Sequence, residues 1–196
     1  MLDYYAVMGN PIAHSRSPEI HQAFAKQTNQ NIVYEKIRVE LDGFPQALKD
    51  FIMQGGKGLN ITLPFKEQAF QNVDRLNPLA EAAGAVNTII IEPNGTTIGD
   101  NTDGIGLVND LQKRCHINLA NKKILLIGAS GAARGVILPL LNQQVAGIHI
   151  ANRTALKAEH LIKDFNNSAL SASGLNNIPE KNYDLMKKYY LMAIEK

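Results

Sequence analysis

The sequence predicts an α/β protein assembled from two units, and three observations predict it. Apolar, β-branched runs alternate with stretches of helical spacing, Gly, Pro, Asn and Asp mark each switch, and the pattern restarts after a polar stretch at 118–121. The first unit reads as a β/α unit with an antiparallel edge. The second reads strand, Gly-rich turn, helix, strand, helix, which is the doubly wound pattern.

Taken in order, Tyr4 to Met8 is a short apolar strand, and Ser17-Pro18-Glu19 supplies an N-cap with proline at the first helical position, leading into Ile20 to Gln27. Ile32 to Val39 carries β-branched and aromatic residues, Phe44 to Met53 has helical spacing, and Gly58 to Leu63 is a strand running into Pro64. Helical stretches follow at Phe65 to Val73 and Leu79 to Ala83. Val86 to Ile91 and Thr96 to Gly99 form a hairpin across Pro93-Asn94-Gly95. A helix from Gly104 to Arg114 leaves the first unit, and Lys122 to Ile127 opens the second as a strand. Helix Ala132 to Gln143, strand Gly147 to Ala151 and helix Ala155 to Phe165 complete it. The expected divisions are residues 1–103, a linking helix over 104–120, a second domain over 121–185 and an atypical tail over 186–196.

Composition excludes several classes. With 196 residues, 45% hydrophobic and 19% charged, the chain buries one substantial core or two modest ones and is not disordered. The net charge of +2 comes from interleaved signs with no basic block, which gives no case for nucleic acid or an anionic membrane as partner. The single Cys115 forms no internal disulfide and reads as a packed or idle thiol. The start shows no signal-peptide pattern, and the apolar stretches at Ile124 to Ile127 and Val136 to Leu141 are too short to span a bilayer, so a cytoplasmic protein is expected and Asn60-Ile61-Thr62 is not read as a glycosylation site.

Two kinds of cluster carry chemistry. Gly9-Asn10-Pro11-Ile12-Ala13-His14-Ser15-Arg16-Ser17-Pro18, then Asn60 to Lys66, Asn87-Thr88 and Asp100-Asn101-Thr102-Asp103, place short polar side chains where apolar runs give way to turns. Together they describe a site for a small, hydroxyl-rich acid. Farther on, Gly128-Ala129-Ser130-Gly131-Ala132 lies between an apolar strand and a helix and reads as a nucleotide-phosphate cradle, with Ser130 where the dinucleotide fingerprint has a glycine. An ordinary tight turn is the competing reading. After the next strand stand Asn152-Arg153-Thr154 and Lys157, not the carboxylate that holds a ribose 2′-hydroxyl. Positive charge at a helix start calls for an anion, which favours NADP over NAD, a solvated basic helix start being the alternative. His14 and His21 lack a second set of ligands with regular spacing, so structural hydrogen bonding is expected of them and no metal.

These motifs, with Ala83-Gly84-Ala85-Val86-Asn87-Thr88 and Gly99 to Gly104, occur in the order seen in shikimate dehydrogenases, and over about the first 160 residues the chain resembles that family. The resemblance implies an N-terminal substrate domain, a Rossmann-type dinucleotide-binding domain, and NADP-dependent interconversion of 3-dehydroshikimate and shikimate in aromatic amino-acid biosynthesis. It puts the shikimate-binding hydroxyls on Ser15 and Ser17, further polar contacts on Asn60, Thr62, Asn87 and Asp103, and the catalytic lysine on Lys66. Carbonyl reduction by hydride puts alkoxide character on the oxygen, so a proton donor is needed; Lys66 suits that role and Asp103 suits orienting it. Taken singly, Lys66 also fits a helix-start lysine and Asp103 a helix N-cap.

The end of the chain departs from the pattern. The resemblance implies that Tyr183-Asp184-Leu185 begins a strand leading to a nicotinamide pocket, then further sheet and a final helix carrying a glutamine to the substrate. Met186 to Lys196 reads otherwise. The expectation is therefore an incomplete second domain, its first βαβα only, with an uncovered apolar edge and face, arising from truncation or a frameshift. Three functions compete: a shikimate dehydrogenase, acting as monomer or homodimer, with a quinate-using relative as a variant; a shikimate-binding remnant; and a nucleotide-binding regulatory protein without redox chemistry. The paired small serines favour shikimate over bulkier quinate.

Overall fold

The computed structural model describes residues 2–180 and 183–188, the last three as backbone. The chain divides into two compact units, Met1–Asn101 and Thr102–Lys196.

The first unit runs β1 (Asp3–Gly9), α1 (Ser17–Gln27), β2 (Ile32–Arg38), α2 (Phe44–Met53), β3 (Gly56–Ile61), α3 (Lys66–Asn72), β4 (Arg75–Leu76), α4 (Pro78–Ala83), β5 (Thr88–Ile91) and β6 (Thr97–Asp100). Its sheet has the order β2-β1-β3-β5-β6-β4, with β1, β2 and β3 parallel and β5 antiparallel to both β3 and β6. The two-residue period of a strand sorts β1 between two cores. Ala6 and Met8 join Phe44, Leu48 and Phe51 of α2 on one face, while Val7 packs with Ile12 and Tyr34 on the other. Because β2 and β3 flank β1 on opposite sides, successive crossovers diverge there and open a crevice at the carboxyl ends of β1 and β3, where α/β sheets bind ligands.

Two local expectations are corrected in this unit. Arg16 caps α1 and Ser17 is its first helical residue, with the Ser17 N–H donating to Ser15 Oγ at 3.3 Å; the serine that serves the helix start is the one before the expected N-cap. The strand Arg75–Leu76 was not expected between two helical stretches. It is held from outside, by its parallel pairing with β6.

The second unit begins with α5 (Asp103–Asn109), then β7 (Lys123–Ile127), α6 (Gly131–Leu141), β8 (Gly147–Asn152), α7 (Ala155–Phe165), β9 (Leu170–Gly174) and β10 (Leu185–Lys188). The helix expected to run to Arg114 changes character at Asp110, where a π-helical turn, Asp110–Arg114, ends with the Cys115 N–H donating to the Asp110 carbonyl at 3.0 Å. Four parallel strands stand in the order β10-β7-β8-β9. Ile124 to Ile127 of β7 are buried on both faces, as the unbroken apolar run requires of a central parallel strand.

This sheet corrects the expectation of βαβα alone. β9 pairs with β8, and β10 occupies the free edge of β7, from Leu185 opposite Ile124 to Lys188 opposite Ile127. Nor is the face over Leu125, Ile127 and Ala151 bare, since Ile178 and Tyr183 pack on it. The causes are polar and tertiary: His149 of β8 hydrogen-bonds Ser171 at 2.8 Å and Ser173 at 2.9 Å, and Asp184 accepts the Lys123 N–H at 2.9 Å while pairing with Lys122 at 3.2 Å. Of the expected tail, Met186 to Lys188 lie in β10 and 189–196 lie outside the described residues.

Candidate active site

At the carboxyl ends of β1 and β3 two loops close on each other. The Thr62 N–H donates to the Met8 carbonyl and the Asn10 N–H to the Leu63 carbonyl, both at 3.0 Å. A Cβ on Gly9 would stand 2.4 Å from the Thr62 methyl, so only glycine permits this approach. The antiparallel edge completes the site. Asn60 pairs with Thr88 across β3 and β5, the Ile61 N–H donates to the Asn87 carbonyl at 2.8 Å, and the Asn87 N–H to the Asp100 carbonyl at 3.0 Å. Asn101, 2% exposed, donates from Nδ2 to the Ala85 carbonyl at 3.0 Å. Lys66 is the first residue of α3, and its carbonyl accepts the Val86 N–H at 2.9 Å.

The polar side chains gathered there form a connected series. Ser15 donates to Ser17 at 3.2 Å, Tyr34 Oη donates to Asn60 Oδ1 at 2.5 Å, Asn60 Nδ2 reaches Thr88 Oγ1 at 3.4 Å, and Thr88 donates to Asn87 Oδ1 at 2.9 Å. The His21 ring stacks on Tyr34, with centroids 4.3 Å apart and planes within 6°. Burial pushes the Tyr34 hydroxyl up from the ordinary phenol range, against the opposing pull of the Ser17 hydroxyl. Burial likewise pushes the His21 imidazole down, with a hydrogen bond to Asn60 acting the other way. A groove of about 480 Å³ between α1 and the sheet includes His21, Tyr34, Asn60 and Thr88 in its wall.

Sequence reasoning missed Tyr34 as a member of this site. Tyr34 reads as a strand aromatic, and the available signal is its position in the parallel strand beside β1. Thr88 belongs to the Asn87-Thr88 cluster that the sequence singles out, and His21, expected to make structural hydrogen bonds, backs Tyr34 and Asn60.

In the second unit the strand order again reverses next to β7, and the loop at its carboxyl end is the Gly-rich one. Gly128 has φ +113°, a conformation suited to glycine, and its N–H is tied to the Ala151 carbonyl at 2.8 Å. Ser130 caps α6 without a side-chain hydrogen bond to the helix, and a Cβ on the exposed Gly131 would meet nothing within 4 Å. The helix start is therefore uncrowded at Gly131, and a helix N-terminus reached through such a glycine suits a pyrophosphate. At the end of β8, Asn152 Nδ2 donates to the Thr154 carbonyl at 2.9 Å, and Thr154 caps α7. Arg153, Thr154 and Lys157 are exposed, and the first turn of α7 carries no acidic residue. Asp103, exposed, opens α5 in this same unit.

A family model for the shikimate dehydrogenase substrate binding domain matches residues 7–89, and one for shikimate/quinate 5-dehydrogenase matches 110–186. The shikimate dehydrogenase (NADP(+)) of Pseudoalteromonas atlantica is 52% identical over 186 residues, which is 94% of this chain and 68% of that protein. This chain belongs to the shikimate dehydrogenase family. The shikimate dehydrogenase (NADP(+)) of Alkalilimnicola ehrlichii is 54% identical over 179 residues, 91% of this chain and 66% of that one. Among solved structures, shikimate 5-dehydrogenase from Thermus thermophilus, in complex with NADP(H) and shikimate, superposes with a TM-score of 0.84 at 33% identity, covering 95% of this chain and 67% of that one. The chain spans about two thirds of the length of these shikimate dehydrogenases. Among the described residues no helix is long and apolar enough to cross a membrane, and no group of His, Cys, Asp and Glu is arranged to hold a metal ion.

Proposed function

We propose that this protein reduces 3-dehydroshikimate to shikimate with NADPH. The observation that carries the reading is the polar series from Ser15 to Asn87 at the strand-order reversal of the first unit, a cluster of hydroxyl and amide groups suited to a small polyhydroxylated ring. Ser15, Ser17, Asn60, Thr62, Asn87 and Asp103 bind and orient the substrate in this reading. Lys66 delivers the proton to the developing alkoxide, and Asp103 orients the lysine in this reading. The loop from Gly128 to Ala132 fits a pyrophosphate through the open start of α6, and Asn152, Arg153, Thr154 and Lys157 fit a 2′-phosphate, the guanidinium offering a planar fork. NADPH bound there supplies the hydride. Apart from Asp103, the residues given the substrate-binding role belong to the first unit, and those given the cofactor-binding role belong to the second. We place the protein in the cytoplasm, a compartment compatible with the exposed thiol of Cys115.

Shikimate oxidation with NADP⁺, followed at the reduced-nicotinamide absorbance, tests the proposal, with calorimetric titration of shikimate beside it. Turnover supports the enzyme. Binding without turnover shows a shikimate-binding protein, faster turnover of quinate shows the quinate-using relative, and neither binding nor turnover overturns the reading. Size-exclusion chromatography of the same sample decides between monomer and homodimer.

A further inference from the structure

We propose that Tyr34 is a positioning residue that fixes which end of the Asn60 amide faces the ligand. The inference rests on the shikimate-binding reading of the site. An asparagine amide has one accepting end and one donating end, of nearly equal shape, and binding groups on a ligand distinguish them only if the amide is held in one orientation. Three features hold it here. The Tyr34 hydroxyl donates to Asn60 Oδ1 at 2.5 Å, so the accepting end is occupied by the protein. Tyr34 is itself only 5% exposed, anchored on β2 in register with Tyr5 of β1, and its ring is clamped flat against His21 at 4.3 Å. His21 adds a hydrogen bond to Asn60, and the opposite end, Nδ2, reaches only as far as Thr88 Oγ1 at 3.4 Å, so the amide nitrogen is the end that a ligand oxygen meets.

Asn60 thus presents an N–H to an oxygen lone pair. Without the phenol hydroxyl, Oδ1 loses the shortest hydrogen bond of the Asn60 amide, and the preference for one of its two orientations weakens. Every population with the carbonyl outward then sets an acceptor against an oxygen of the ligand. Thr88 continues the series, its hydroxyl donating to Asn87 Oδ1 at 2.9 Å. One buried tyrosine so sets the donor and acceptor polarity that Asn60 presents, without touching the ligand.

The test uses the whole chain and calorimetric titration with shikimate. Tyr34→Phe keeps the ring and its stack on His21 and removes only the hydroxyl. It is expected to weaken shikimate about tenfold with little change in Tm, the loss of one buried hydrogen bond's worth of ordering. Asn60→Ala weakens it at least as much, and Tyr34→Phe in the Asn60→Ala background costs less than about twofold more, because the residue it positions is gone. Unchanged affinity in Tyr34→Phe, or singles that multiply in the double variant, overturns the proposal. A second readout needs neither ligand nor the tyrosine variant: proton NMR of the free chain shows a slowly exchanging, downfield Tyr34 hydroxyl that Asn60→Ala abolishes. If that resonance survives in Asn60→Ala, the pairing is not what holds the amide. Failure of the unmodified chain to bind shikimate defeats the functional reading instead, and the hydroxyl resonance still decides whether Tyr34 orients Asn60.

Discussion

The residues of the proposed substrate site act through what they are denied as much as through what they offer. Burial pushes the His21 imidazole below the ordinary histidine range, and a hydrogen bond to Asn60 acts the other way. A group whose folded pKa is depressed contributes no penalty above its unfolded value of about 6.5 and an increasing one as pH falls through the folded value. The wild-type chain is therefore expected to lose more Tm between about pH 7.5 and about pH 5 than His21→Phe, which keeps the stack on Tyr34 and cannot titrate. Parallel melting of both proteins across that range would show that His21 remains solvated. At the other site Arg153 is argued from charge. Arg153→Ala should weaken NADPH about tenfold or more and NADH little, because only NADPH carries the group that a free guanidinium recognises. Equal weakening of both cofactors, measured by fluorescence titration, would assign Arg153 to the fold or to the shared pyrophosphate.

Elements differ in where their stability comes from, and this decides which of them sequence reveals. The strand β4 is two residues long and follows a clasp: the Asp74 carboxylate accepts the Thr97 N–H at 2.7 Å and the Thr97 hydroxyl at 2.8 Å, while the Asp74 N–H donates to Thr97 Oγ1 at 2.9 Å. The Thr97 backbone donor, then its hydroxyl, holds the Asp74 carboxyl below the usual carboxylate range. A depressed carboxylate contributes stability that is present above its unfolded pKa and lost as pH falls through the folded one. Asp74→Asn should thus lower the urea midpoint near neutrality, by an amount that shrinks as the pH is brought below about 4. A gap independent of pH would mean that packing, not charge, is what the substitution disturbs. The same contrast explains the reading of the chain. Strands β1, β2, β3, β7 and β8 and helices α1 to α3, α6 and α7 announce themselves by apolar period and turn residues, because burial is what forms them. The strand β9, Leu-Ser-Ala-Ser-Gly, alternates only Leu170 and Ala172 with serines, too short and too weakly apolar a pattern to stand out, and His149 ties its Ser171 and Ser173 to β8. The strand β10 ends in two lysines and depends on an edge distant in sequence, Leu185 pairing with Ile124. Ser15, Ser17, Asn60 and Asn87 stand out in the sequence as short polar residues at or near the ends of apolar runs; Tyr34 does not, since nothing local distinguishes a core tyrosine from one whose hydroxyl meets an amide.

At the scale of the molecule, both units put their motif at the same kind of place. In each sheet the strand order reverses beside the first strand of the unit, β1 in one and β7 in the other, and a glycine stands where that strand ends, Gly9 as the last residue of β1 and Gly128 just after β7. A dehydrogenase needs this twice, once for a substrate and once for a dinucleotide, and it needs a proton donor in addition to both. If Lys66 supplies that proton, Lys66→Met should lower kcat by roughly two to four orders of magnitude with little change in KM, since the apolar stem is kept and only the transition-state interaction is lost. Asp103→Asn should be damaging as well. Two groups working as one proton-delivering unit are not additive, so the double variant should be only slightly worse than the worse single, whereas two independent binding contacts would multiply. Steady-state kinetics of the four proteins decide this, in the chain alone or, if it does not turn over, in a full-length relative carrying the equivalent substitutions. A Lys66→Met protein with near-normal kcat and a raised KM would make the lysine a substrate clamp, because an ammonium that merely holds the substrate stabilises ground state and transition state alike.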